Sequence, residues 1–237
     1  MSTDLFLTRV ALRRDAPIAA LRPVFLPEED ERRTMMGHRL MWTLFGDSPD
    51  RKRDFLWREA GDGRFYTLSE RPPHDRHNVF QVDPPKPFAP ELLPGDSVRF
   101  SLRANATVAK RADGAARGKP SDVVMDALYK FPKGEQRATH RSDVVQTAGL
   151  QWLVRQGKQS GFSLAGDEED ETGTYSAHVT SYRALRLDHR KSKLKIGVLD
   201  YEGVLTVTQP ETFVAALAGG FGRAKAFGCG LMLIRRA

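Results

Sequence analysis

The order of apolar segments in this 237-residue chain predicts an α+β fold of two tandem ferredoxin-like (βαββαβ) domains. Three observations carry that expectation. A strand, helix and hairpin rhythm runs twice along the chain. A proline-rich stretch at residues 83–90 separates the two rounds. The chain closes on a short helix, a glycine-rich loop and a last apolar strand.

Residues 5–12 alternate as a strand. Pro17, Pro23 and Pro27 then read as a break. A helix is expected over 28–45, because Met36, Leu40 and Leu44 recur at i, i+4 and i+8 beside Met41 and Phe45. Glu28, Glu29, Asp30 and Glu31 crowd its start, where the helix dipole favours anions. Residues 54–59 and 65–69 read as a hairpin around Gly61-Asp62-Gly63. A weak second helix is expected around 72–77. Residues 83–90 hold too much proline for a helix or an inner strand, so the expected domains are 1–90 and 91–237. The second round has a strand at 97–104 and a helix at 143–156, with Val145, Ala148 and Trp152 on one side. Strands follow at 177–187 and 193–208, then a short helix at 210–217 opened by Pro210. No short-period repeat suggests a solenoid.

Forty per cent of the residues are hydrophobic, enough for a real core, and the net charge is +7. A basic chain favours an acidic partner, nucleic acid first and an anionic membrane second. The one cysteine, Cys229, rules out an internal disulfide and a Cys-based metal site and suits a reducing cytoplasm. Charges near the N-terminus break every apolar run, so neither a signal peptide nor a membrane span is expected.

The densest signal is the run Gly219-Gly220-Phe221-Gly222-Arg223-Ala224-Lys225-Ala226-Phe227-Gly228-Cys229-Gly230. Five glycines with two cations between them let backbone amides approach an anion. The run lacks the Gly-Lys-Ser/Thr ending of a phosphate-binding loop, and Lys225 stands where G-x-G-x-x-G needs its third glycine. The plainer reading is a tight passage from helix to strand. A long basic connection over 106–141 carries Lys110, Arg111, Arg117, Lys119, Lys130, Lys133 and Arg137. It is either solvated or in contact with phosphates.

Zinc-protease, EF-hand, Gly-x-Ser-x-Gly and Cys-x-x-Cys patterns are absent. His74 and His77 flank Asp75 but follow Pro72-Pro73, a weak metal pair. His178 falls in an expected strand, and His140 and His189 in basic loops. His38 differs. At about 100° per residue it projects about 120° from the centre of the helix's apolar stripe, toward solvent, with Arg39 beside it. An unperturbed imidazole titrates at about 6.5 and suits general acid–base work beside a phosphate. A merely structural histidine fits the same facts.

Several segments together resemble the CasE-type CRISPR endoribonucleases. They are Gly203-Val204-Leu205-Thr206-Val207 with Pro210-Glu211 and the glycine-rich run through Leu231; Pro84-Pro85-Lys86-Pro87-Phe88; Phe100-Ser101-Leu102-Arg103-Ala104-Asn105; Asp122-Val123-Val124-Met125-Asp126-Ala127; Trp152-Leu153-Val154-Arg155-Gln156-Gly157; and His38 followed by Trp42-Thr43-Leu44-Phe45. The resemblance covers nearly the whole chain. It implies two ferredoxin-like domains and cleavage of a CRISPR repeat transcript without metal or other cofactor. The ribose 2′-hydroxyl would attack the adjacent phosphate, leaving 5′-hydroxyl and 2′,3′-cyclic (or 3′) phosphate ends. The enzyme would then stay on the RNA hairpin as a subunit of a type I-E Cascade complex, with no membrane partner.

On that resemblance His38 is the expected acid–base residue. Arg39 and Lys225 are expected on the phosphate. Further RNA-facing candidates are Arg103, Asn105, Lys110, Arg111, Arg117, Lys119 and Arg223. In the basic stretch at 183–195, Arg190, Lys191 and Lys193 mark an expected hairpin tip, to lie along the stem, whose deep, narrow major groove hides its bases. One departure stands out. The family often carries a tyrosine one turn before the histidine; here it is Met35, which exchanges no proton. Arg39, Tyr66, Tyr182 or the RNA itself would have to substitute. A non-cleaving RNA-binding subunit and a basic DNA-binding or scaffold protein are the rival readings.

Overall fold

The computed structural model describes residues 4–48, 50–110, 118–165, 175–189 and 192–237. Its contacts divide into two compact units. The first comprises Met1–Glu91, Leu185–Lys195 and Ala224–Leu231, and the second comprises Leu92–Ala184, Ile196–Arg223 and Met232–Ala237. The split near residue 91 follows the proline-rich stretch. Two later segments, the far end of a hairpin and half of the glycine-rich loop, join the first unit.

The first unit runs β1 (Phe6–Leu12), α1 (Ala16–Phe25), α2 (Asp30–Phe45), β2 (Phe55–Glu59), β3 (Arg64–Ser69), β4 (Phe80–Val82) and β5 (Lys86–Pro87). The sheet order is β2-β3-β1-β4, with β5 also on β1. That is the ferredoxin-like order, and the β1–β3, β1–β4 and β2–β3 pairs are antiparallel. Leu40, Met41, Leu44 and Phe45 of α2 pack on Val10, Phe55, Trp57 and Phe65 of the sheet. Phe45 and Phe55 stack with ring centroids 4.2 Å apart.

Three expectations change here. The proline-marked break forms helix α1, because Pro17 sits in the first turn, where no backbone donor is needed, and only Pro23 lies inside. Asp62, in the β2–β3 turn, receives Arg14 and Arg22, the latter from α1. The weak helix at 72–77 is absent. Asp75 instead accepts the backbone N–H groups of His77 (3.2 Å) and Phe80 (2.7 Å), a local alternative to helical bonding. The proline-rich stretch is more than a linker, since Lys86–Pro87 pairs with Phe6 and Leu7 at the start of β1.

The second unit runs β6 (Ser97–Ala104), β7 (Thr107–Lys110), β8 (Lys119–Asp122), α3 (Val123–Leu128), α4 (Glu135–Thr139), α5 (Arg141–Ser160), β9 (Phe162–Ser163), β10 (Ala177–His189), β11 (Ser192–Val207), α6 (Pro210–Gly219) and β12 (Met232–Arg236). The outer ends of β10 and β11 are the residues that cluster with the first unit. The order β10-β11-β6-β12, with β9 on β11, repeats the ferredoxin-like pattern around β6, α5, β10, β11, α6 and β12. The core includes stacked Trp152 and Tyr201, 5.9 Å apart, and Phe162 between Phe213 and Phe221.

Residues 106–141 are not a plain loop. β7 and β8 pair, and the Asp122 carboxylate caps α3 by accepting Met125 N–H at 2.8 Å. No helix among the described residues is long and apolar enough to cross a membrane.

Gly161 ends α5 at φ 76°, and a Cβ there would meet the Gln209 carbonyl. A left-handed non-glycine residue alone costs roughly 1–2 kcal/mol. Gly161→Ala is therefore expected to lower the unfolding free energy by at least about 2 kcal/mol, measured by urea denaturation.

Candidate functional site

The apolar stripe of α2 fixes where His38 points. Leu40, Met41, Leu44 and Phe45 turn into the core, which leaves His38 half-buried at the helix edge and Arg39 exposed. The His38 ring meets Trp42 edge-on at 6.5 Å and Phe227 at 5.6 Å. Its Nδ1 lies 2.8 Å from the Ala226 carbonyl oxygen. A carbonyl only accepts, so Nδ1 carries the proton in this contact. The neutral ring then has its lone pair at Nε2.

Ala226 belongs to the glycine-rich loop. Gly220, Gly222, Gly228 and Gly230 all have positive φ, and so does Ala224 at 53°. These residues wind the chain into a 3₁₀ turn at Lys225–Phe227. The Ala224–Leu231 part of the loop belongs to the same unit as His38. The loop thus places Lys225 next in sequence to the residue that receives the His38 bond.

Lys225 is half-buried. Desolvation, and then the charge of Arg53, push its ammonium below the ordinary lysine value. Arg53 is held down by desolvation as well, and its Nη1 donates to the Phe55 carbonyl at 2.9 Å. Both cations thus lie in part-buried surroundings. Lys193, also in this unit, is exposed.

In the second unit the expected RNA-facing residues divide. Lys119 on β8 and Arg223 are exposed, and the Arg223 backbone bridges to Asn105. Asn105 itself is buried, against expectation. Its side chain donates to the Gly197 carbonyl at 2.7 Å, although continued β6 alternation would have turned position 105 outward with Arg103. Arg103 is also drawn in. Its fork meets both Asp200 oxygens, at 2.7 and 3.2 Å, while Ser181 and Arg183 reach the same carboxylate. Burial raises the Asp200 carboxyl, but the Arg103 bond and charge, with Ser181 and Arg183, more than offset it and leave it below the ordinary aspartate value. Lys110 lies in β7 opposite Lys119 in the strand register. Arg111, Arg117, Arg190 and Lys191 lie outside the described residues.

The expected substitutes for a tyrosine at Met35 are not equivalent. Tyr66 follows the core residue Phe65 on β3 and so faces the side of the sheet away from α2. The Tyr182 hydroxyl, in the second unit, donates to Asp122 at 3.1 Å. Burial, with the Asp122 charge and bond, raises it far above the usual phenol range. Tyr66 thus turns from the helix that carries His38, and the Tyr182 hydroxyl is engaged within its own unit. Arg39 stays adjacent.

Trp57 and Arg53 have no counterpart in the sequence reading. The Trp57 indole N–H donates to the Ala226 carbonyl at 3.2 Å. A tryptophan in a hairpin strand looks like core, and nothing local marks its partner 169 residues away. Among the described residues no group of three or more His, Cys, Asp or Glu could hold a metal ion.

A family model described as CRISPR associated protein matches residues 5–236. The chain is 34% identical over 162 residues to the CRISPR-associated endoribonuclease Cse3 of Thermus thermophilus, covering 65% of this chain. The match spans 63% of that relative, less than two thirds of its length. It is 24% identical over 198 residues to the CRISPR system Cascade subunit CasE of Escherichia coli, covering 82% of this chain and 88% of that one. A solved structure of Thermus thermophilus Cse3 bound to an RNA representing a pre-cleavage complex superposes with a TM-score of 0.68. It has 25% identity and covers 98% of this chain and 99% of that one.

Breaking the Arg103–Asp200 pair should be costly, since the two side chains are only 23% and 12% exposed. Arg103→Ala is expected to lose roughly 2–4 kcal/mol at neutral pH by urea denaturation, somewhat below a fully buried pair because Ser181 and Arg183 remain. The Asp200 carboxyl is depressed in the fold, so its contribution is full above the unfolded aspartate value of about 3.9. It disappears as pH falls through the lower folded value, and the gap between variant and parent should close there.

Proposed function

The chain belongs to the CRISPR associated protein family, and on that footing we propose that it is a CasE-type endoribonuclease. It cuts CRISPR repeat RNA at the 3′ base of the stem-loop and keeps the product as a subunit of a Cascade complex. The observation that supports this reading most is the His38 Nδ1 to Ala226 contact at 2.8 Å. It fixes a half-buried imidazole through Nδ1 beside a basic glycine loop. The relatives are named an endoribonuclease and a Cascade subunit, and one was solved with a pre-cleavage RNA.

In the proposed reaction the 2′-oxygen forms a bond to the adjacent phosphorus and the bond to the 5′-oxygen breaks. A proton leaves the 2′-hydroxyl and another reaches the 5′-oxygen. The products carry a 5′-hydroxyl and a 2′,3′-cyclic phosphate. Because Nδ1–H is committed to Ala226, Nε2 is the nitrogen that takes or gives the proton, in either charge state. Positioned acid–base help of this kind is worth roughly 10²–10⁴-fold. Charge grows on the phosphate as the new bond forms, and Lys225, Arg53 and Arg39 are the cations assigned to it. The reaction needs no metal ion in this scheme. Met35 supplies no second proton carrier, so one imidazole carries the burden.

Lys119, Lys193, Arg223 and the basic residues outside the described segments are assigned to stem phosphates. Arg103 and Asn105 instead brace the sheet of the second unit, through Asp200 and the Gly197 carbonyl.

Two measurements test the reading. His38→Ala should lower single-turnover cleavage of the cognate repeat by at least about 100-fold, with hairpin affinity within about twofold of the parent. Undiminished cutting in this variant removes His38 from the reaction. A repeat with 2′-deoxyribose at the cut should bind and stay whole, and its cleavage would exclude the 2′-hydroxyl as nucleophile. A parent protein that binds the repeat in EDTA but leaves it uncut would favour the non-cleaving subunit.

A further inference from the structure

Trp57 is 3% exposed, and two glycines of different elements close on its indole. One is Gly37, immediately before His38 on α2. A Cβ there would stand 2.7 Å from Trp57 Cη2. The other is Gly228, two residues past Ala226, where a Cβ would stand 3.1 Å from Cη2 and Cζ3. Both backbones therefore close on the six-membered ring as only glycine allows, and the ring sets the distance between α2 and the loop.

The same indole donates its N–H to the Ala226 carbonyl, the oxygen that also receives His38. A carbonyl oxygen has two lone pairs, so both donors can be served at once. The Trp57 bond aims that oxygen, and the aimed oxygen selects the Nδ1–H form of His38.

We propose that Trp57 is a positioning residue for the reaction assigned to His38. It holds the Ala226 carbonyl so that the imidazole keeps its proton on Nδ1 and offers Nε2 to the RNA. The catalytic half of this inference rests on the proposed nuclease function; the tautomer half does not. Trp57 touches no RNA in this scheme, so its loss should act on rate and leave affinity alone.

The test uses the full chain with ¹⁵N-labelled histidine. The parent is compared with Trp57→Phe and with a variant carrying benzothienylalanine at position 57, which keeps the bicyclic shape but has no N–H. Above neutral pH, the His38 nitrogens of the parent should read as protonated Nδ1 and unprotonated Nε2. Both variants should shift toward Nε2–H. Single-turnover cleavage at saturating repeat RNA should fall about 10-fold or more, hairpin Kd should stay within about twofold, and the acidic inflection of the pH–rate curve should move. Should Trp57→Phe fail to fold, the shape-preserving variant decides. An unchanged tautomer in a folded variant overturns the proposal, and so does a changed tautomer with an unchanged rate. If the parent does not cut, or His38→Ala cuts fully, the nuclease reading fails separately, and the nitrogen spectra still decide whether Trp57 sets the tautomer.

Discussion

The hydrogen bond from His38 to the Ala226 carbonyl joins two segments 188 residues apart in sequence, and the chemistry assigned to this chain depends on it. One hydrogen bond is too weak to close so long a span alone, so the packing of the two segments holds its ends together. α2 supplies one wall through its apolar stripe. The loop supplies the other by winding through five positive-φ residues, four of them glycine. Phe227 packs beside the imidazole and Trp57 below the loop, so the ring is held by contacts on several sides.

The basic residues of the two units meet different surroundings. In the first unit, burial disfavours the charged forms of Lys225 and Arg53 somewhat. In the second unit the opposite holds. Asp200 gathers Arg103, Arg183 and Ser181, which converts two cations of the sheet into structural braces. A raw count of basic residues therefore overstates what is available to an acidic partner. The exposed ones, such as Arg39, Lys119, Lys193 and Arg223, are those with the reach to meet one.

Much of the fold was legible in the sequence because its signals are local. Met36, Leu40 and Leu44 announced α2, and the strand of Ser97–Ala104 was found to the residue. Both sheets take the strand order that the repeated rhythm implied. Helix α1 was hidden because Pro17 and Pro23 look like breakers, although the first is harmless in an opening turn. The helix expected at 72–77 lost to the bonds that Asp75 makes with its own neighbourhood. The site was legible only in part. His38 could be placed at the edge of a helix by angle alone, and the loop could be marked as unusual by its glycines. That Asn105 turns inward, and that Trp57 and His38 share one carbonyl, depend on long-range closure that no local pattern encodes.

A crystal structure of the chain with a repeat RNA made uncleavable by 2′-deoxyribose at the cut would bear most directly on the account. It should show His38 Nε2 within about 3.5 Å of the 5′-oxygen or of the 2′ position at the scissile step, with Nδ1 still on Ala226. A scissile phosphate bound away from His38, or an imidazole turned so that Nε2 meets Ala226, would contradict it.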